Sequence, residues 1–153
     1  MRAIHKILHP TDFSKGAEPA TELAIEMARR FDAELTFLHV YGTPVQMGPF
    51  GDGYALPPEL LQKLQEDTER ALEGLLMRAT YAGVRARTMS TEGNVADSIV
   101  SLAGDNVDLI VMGTHGRTGL KHFLLGSVAE RILRSAPCPV LTVREPAAKK
   151  AAL

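Results

Sequence analysis

Val107–Met112, VDLIVM, runs directly into Gly113–Ser127, GTHGRTGLKHFLLGS. Leu109, Ile110, Val111 and Met112 are consecutive apolar residues. Such a run marks a strand covered on both faces, which is how strands of a parallel sheet read. The segment after it is polar and glycine-bearing. Gly126-Ser127 then opens a helix carrying Val128, Ile132 and Leu133, which Pro137 ends before a last strand, Val140–Val143. Strand, loop, helix and strand in that order form one βαβ unit.

The same alternation extends upstream. A short helix with Asn94 as N-cap turns Ile99, Leu102 and Ala103 inward and closes at Gly104. It follows a strand at Val84–Met89. Before that strand lies a long helix, opened by Pro57-Pro58, with a stripe at Leu61, Leu64, Thr68, Ala71, Leu75 and Ala79 and Gly83 as its C′ residue. Residues 42–56 hold four glycines and two prolines and read as a loop. A strand at Glu34–Val40 precedes it. A first helix, N-capped by Ser14, carries Ala17, Ala20, Leu23, Ala24, Met27, Ala28 and Phe31 on one face. The first strand, Ile4–His9, stops at Pro10-Thr11-Asp12.

This pattern predicts an α/β fold: one doubly wound, five-stranded, mostly parallel sheet with helices on both faces, flavodoxin-like in its strand order 3-2-1-4-5. Residues 1–145 are expected to form the domain and 146–153 a flexible tail. Ligands of such sheets sit beyond the carboxyl ends of the strands where the strand order reverses. In that order, the first and fourth strands flank the reversal. Pro10, Thr11 and Asp12 on one side, and Met112 with the Gly113 loop on the other, are therefore the segments placed to meet a ligand.

Bulk properties narrow the function. The 17 basic and 18 acidic residues leave a net charge of −1, which provides no broad field for nucleic acid or for an anionic membrane. Tryptophan is absent and aromatics make up 5%, which disfavours a stacking platform for single strands. No apolar run approaches the roughly 20 residues that span a bilayer. A single cysteine, Cys138, excludes an intrachain disulfide, and the expected compartment is the cytoplasm. It reads as a small buried hydrophobe.

The loop carries the chemistry. Gly113, Gly116 and Gly126-Ser127 form G-x2-G-x9-G-S between a strand and a helix. Glycines there let the main chain approach a ligand without an intervening Cβ. The amides of Ser127 and Val128 lie in the first turn of a helix, where orphan N–H groups and the helix dipole favour an anion. The Ser127 hydroxyl suits a phosphate oxygen or a bound Mg²⁺. No G-x4-G-K-[S/T] occurs, and no G-x-G-x-x-G follows the first strand, so neither the P-loop nor the dinucleotide fingerprint applies.

The KILHPTDFS opening, the HVY ending of the second strand, VDLIVMGTHGRTG and LLGSVAERILRSAPCPVLTV, in this order over about residues 3–145, resemble the ATP-binding universal stress proteins. That resemblance implies an adenine nucleotide alpha hydrolase-like fold and a bound ATP, with Mg²⁺. It implies that Asp12 and Val40 hold the adenosine end, Val40 through its main chain. Gly113, His115, Gly116, Gly126, Ser127 and Val128 would take the ribose and phosphates. It also implies a homodimer built through the last strand. His9 departs from the apolar residue more usual at its position.

Against these assignments stand plainer ones. Asp12 also suits an Asx-turn or a helix cap. Arg117, Lys121 and Arg131 are as readily solvated as phosphate-facing. His5, His9, His39 and His122 lack metal-ligand spacing and read as structural or surface residues. Met47, Phe50 and Tyr54 sit in a loop that covers ligand or meets a partner. A regulatory, stress-response role for nucleotide occupancy is the expected function. The alternatives are a slow ATP-hydrolysing or adenylyl-transferring enzyme, although HxGH and SGGxDS are both absent, and an interaction module with an idle pocket.

Overall fold

The computed structural model describes residues 3–42, 45–47, 53–104, 106–115 and 125–145, with main chain alone at 45–47 and 53–55. Its main sheet contains β1 (Lys6–Pro10), β2 (Glu34–Tyr41), β5 (Ala86–Glu92), β6 (Leu109–Gly113) and β7 (Val140–Val143). The order is β5-β2-β1-β6-β7 and every neighbouring pair is parallel. Counting only these five strands gives 3-2-1-4-5, the order expected from the alternation. Helices α1 (Glu18–Phe31), α2 (Pro58–Tyr81), α3 (Val95–Ala103) and α4 (Ser127–Ser135) complete the fold.

The strand pleat divides the core in two. Ile7, Leu35, Phe37 and Val111 pack with Ala24 and Ala28 of α1 and with Leu72, Leu75 and Ala79 of α2. Leu8, Leu38, Val40, Ile110 and Met112 pack on the other face with Ile99 of α3 and Ile132 of α4. Alternate residues of a strand face opposite ways, so each strand contributes to both layers.

Several boundaries differ from the sequence reading. Residues 42–56 contain a short antiparallel hairpin, β3 (Val45–Met47) with β4 (Gly53–Ala55), rather than an unbroken loop. Three-residue strands are too short to show a periodicity. Ser14 does not cap α1. It precedes a 3-10 turn at Lys15–Ala17, its side chain makes no capping bond, and α1 starts at Glu18 with Pro19 in its first turn. On α2, the buried face passes through Leu72, Leu75 and Ala79, while Leu64 is exposed. Leu102, expected to face inward, is 39% exposed, and Leu133 on α4 is 43% exposed. In short helices that lie on the sheet, only the residues directly over the strands are covered.

Asn94 does cap α3, its side-chain oxygen accepting from Asp97 N at 3.1 Å, and Gly104 closes that helix with φ +34°. Gly83, following α2, has φ +76°. Among the described residues, no helix is long and apolar enough to cross a membrane.

Candidate functional site

A cleft of about 250 Å³ opens at the carboxyl ends of β1, β2 and β6, where the strand order reverses. Pro10, Thr11, Asp12, Val40, Met112, Gly113, His115, Gly126, Ser127 and Val128 all line it. The structure thus gathers ten of the eleven residues singled out from the sequence. The eleventh, Gly116, lies outside the described residues, as do Arg117, Lys121 and His122.

The wall after β1 is shaped by side chains. The Thr11 hydroxyl accepts from Phe13 N at 3.1 Å, and Asp12 Oδ1 accepts from Ser14 N at 3.0 Å. Asp12 therefore does build the Asx-turn that its plainer reading suggested, while lining the cleft. Phe13 between them has φ +61°, a left-handed conformation unusual for an aromatic residue.

The wall after β6 is held main chain to main chain. Gly126 N–H donates to the Thr114 carbonyl at 2.8 Å, closing the ends of the loop on each other. A Cβ at Gly126 would lie 3.0 Å from that same oxygen. At Gly113 it would lie 3.4 Å from the carbonyls of Gly16 and His115, so the 3-10 turn of Lys15–Ala17 packs directly on the end of β6. The Thr114 hydroxyl is 3.0 Å from His115 Nδ1 and orients that ring.

Ladder geometry places Val40. In a parallel strand, the N–H and C=O of one residue point to the same side, alternating along the chain. The Leu38 carbonyl accepts from Thr11 N at 2.9 Å on the β1 side, whereas the Tyr41 carbonyl accepts from Gly93 N at 3.0 Å on the β5 side. Val40 is therefore turned toward β1, two residues past Leu38, the partner of the last β1 residue Pro10. Its main-chain donor and acceptor face the cleft. Across the cleft is the N-terminus of α4, whose first-turn N–H groups have no intrahelical acceptor.

The floor is apolar and was partly missed in the sequence. Leu38, Val95, Ile99 and Ala129 line the cleft, with Ala17 and Thr114. Leu38 is two residues from Val40 and hence on its face, so period two would have found it. Ala17 was hidden by the misplaced start of α1. Arg131 reaches Asp97 at 2.7 Å, joining α4 to α3. Among the described residues, no three His, Cys, Asp or Glu side chains converge as a metal site.

Below both walls lies His9, fully buried. Its Nδ1 is 2.8 Å from the Val111 carbonyl, which only accepts, so Nδ1 carries the hydrogen. Nε2 then accepts from the Thr21 hydroxyl at 2.9 Å. The ring packs edge-on against Phe37. Burial is the chief reason its pKa falls from 6.5 to about 4, against the opposing hydrogen bond to Val111.

Fold and cleft together define a doubly wound α/β protein with an open cleft at the switch point. The sequence profile of the Universal stress protein family matches residues 3–144, and the chain belongs to that family. It is 42% identical over 147 residues to universal stress protein MJ0531 of Methanocaldococcus jannaschii, covering 92% of this chain and 82% of that protein. The solved structure of MJ0577, from the same organism, superposes with a TM-score of 0.77 at 32% identity, covering 95% of this chain and 100% of that one. A universal stress protein solved in complex with cAMP gives a TM-score of 0.69 at 25% identity, covering 94% and 98%.

Proposed function

We propose that this protein binds ATP, with Mg²⁺, in the switch-point cleft and acts as a stress-response regulator whose shape or partners change with nucleotide occupancy. One observation carries the reading. The outward main-chain edge of Val40 and the first turn of α4 face the same cleft, over an apolar floor. A purine needs a flat apolar slot with a main-chain donor and acceptor at its rim, and phosphates need amides and a helix N-terminus.

In this reading, Leu38, Val40, Ile99 and Met112 enclose adenine, and Asp12 meets the ribose. Gly113, His115, Gly116, Gly126, Ser127 and Val128 line the phosphate path. Mg²⁺ arrives with the nucleotide, since its coordination is met by phosphate oxygens and water. The relative crystallised with cAMP supports an adenine nucleotide as the ligand class. The half-exposed edge strand β7 is proposed to pair antiparallel with its copy in a cytoplasmic homodimer. Light scattering should then give twice the mass of the chain.

The test is to purify the protein without added nucleotide, denature it, and identify what it releases by mass. Ser127→Asp is the matched variant. An acid in the first turn of α4 suits the helix dipole and preserves the fold, while repelling phosphate. ATP or ADP from the native protein and none from the folded variant supports the site, and a predominance of ADP would favour hydrolysis. A native protein that releases nothing and does not take up added ATP with Mg²⁺ sinks the nucleotide reading.

A further inference from the structure

The wall after β1 holds a conformation that its own sequence resists. Phe13 sits at φ +61°, where the Cβ of an L-residue is crowded and where glycine or asparagine is the usual occupant. Such a residue stays there only if its surroundings over-determine it. The two local bonds, from Phe13 N to the Thr11 hydroxyl and from Ser14 N to Asp12 Oδ1, fix the turn internally but anchor it to nothing else.

The main chain is tied to β2 where Thr11 N–H donates to the Leu38 carbonyl, and the side-chain anchor from that strand is His39. It is 9% exposed, and its Nδ1 lies 2.8 Å from the Thr11 carbonyl, so Nδ1–H donates to it. The Phe13 ring lies against the same imidazole, centroids 4.7 Å apart at 31°. Tyr41 flanks the other part of the stack at 6.5 Å. Strand pleating sends Leu38 and Val40 to the cleft and His39 to the opposite face. His39 therefore touches no ligand in the cleft. It grips the back of the wall whose front carries Thr11 and Asp12.

We propose that His39 is a positioning residue for the ligand site, clamping the Thr11–Ser14 turn through its Nδ1–H bond to the Thr11 carbonyl and its contact with the Phe13 ring. The clamp rests on the nucleotide reading only for its consequence, and its existence is tested without ligand.

The measurement is amide hydrogen exchange at Phe13 and Ser14, then ATP affinity with Mg²⁺, for three variants. His39→Asn places an amide N–H where Nδ1 was. His39→Gln is equally polar but places it where Nε2 was. His39→Leu removes the donor. Roughly tenfold faster exchange and roughly tenfold weaker ATP binding are expected for Gln and Leu, with Asn close to the native protein. A residue needed only for packing would show no such split between Asn and Gln, which keeps the test decisive even if Leu fails to fold. Equal exchange in Asn and Gln variants overturns the clamp, whatever ATP does. Faster exchange with unchanged ATP affinity overturns its role in positioning. A native protein that binds no ATP instead sinks the nucleotide reading, and the positioning role falls with it, while the exchange data still decide whether the clamp exists.

Discussion

The two walls of the cleft face each other but are built on opposite principles. The Thr11–Ser14 turn is shaped by what its side chains supply: a hydroxyl, a carboxylate and the imidazole behind them. The ends of the β6–α4 loop are shaped by what side chains leave out, because Gly126 and Gly113 let carbonyls approach where a Cβ would stand. The first wall should accept substitutions that preserve a donor or acceptor. The second should accept an added side chain only in proportion to the space each glycine leaves.

The largest effect is expected beneath both walls. His9 bonds to Val111 on β6 and, through Thr21, to α1, so it links the strand ends that carry the two loops. Its folded pKa, about 4, lies below the unfolded 6.5, with burial the main cause. Glu18 and the Val111 bond oppose that shift, and Arg78 adds to it. The unfolded chain therefore binds this proton first as pH falls. Stability should drop between pH 6.5 and about 4, level off below that, and lose about 3 kcal/mol in all. Urea midpoints at pH 7, 5 and 4 check this. In His9→Leu that portion of the pH dependence should disappear, and parallel profiles for the two proteins would refute the assignment.

Gly126→Ala comes next. Its Cβ would stand 3.0 Å from the Thr114 carbonyl, the acceptor of Gly126's own N–H. The oxygen must retreat and the bond that closes the loop must lengthen. A loss of about 1–2 kcal/mol is expected, together with weaker ATP binding. A neutral result would show that the loop ends are loose and that the contrast between the walls is false.

How much of this was legible beforehand follows the physics of each part. Strand order was readable because LIVM, LTFLHV and the helices between them repeat a pattern that, with so few strands, fits an open doubly wound sheet. The cleft was readable because topology brings the ends of β1 and β6 together regardless of side-chain detail. The start of α1 was not, since Ser14 has the chemistry of a cap and the 3-10 turn that displaces it packs against Gly113, a neighbour far off in sequence. His39 was passed over for a similar reason. Its bond to Thr11 spans 28 residues of sequence, and no local pattern reports it.

On the side-chain-built wall, Asp12→Asn and Asp12→Ala separate shape from charge. Asparagine keeps an oxygen for Ser14 N, so its stability should stay within about 0.5 kcal/mol of the native protein. Alanine loses the acceptor and about 1 kcal/mol. If the ribose rests on this carboxylate, ATP affinity falls in both variants. Equal stability losses would mean that the turn is held from outside alone.

The smallest effect is expected at Gly113, and it tests the contrast most closely. A Cβ there would lie 3.4 Å from the carbonyls of Gly16 and His115, 0.4 Å more room than the 3.0 Å at Gly126. No positive φ is involved, so the added methyl meets only contact and not backbone strain. Alanine also restricts the unfolded chain relative to glycine, which favours folding by about 0.4–1 kcal/mol. The two terms nearly cancel if the 3-10 turn gives by a few tenths of an ångström. Gly113→Ala should then unfold within about 0.5 kcal/mol of the native protein in urea, while Gly126→Ala does not. Equal losses at the two glycines would mean that distance to the facing carbonyl does not govern what this wall tolerates.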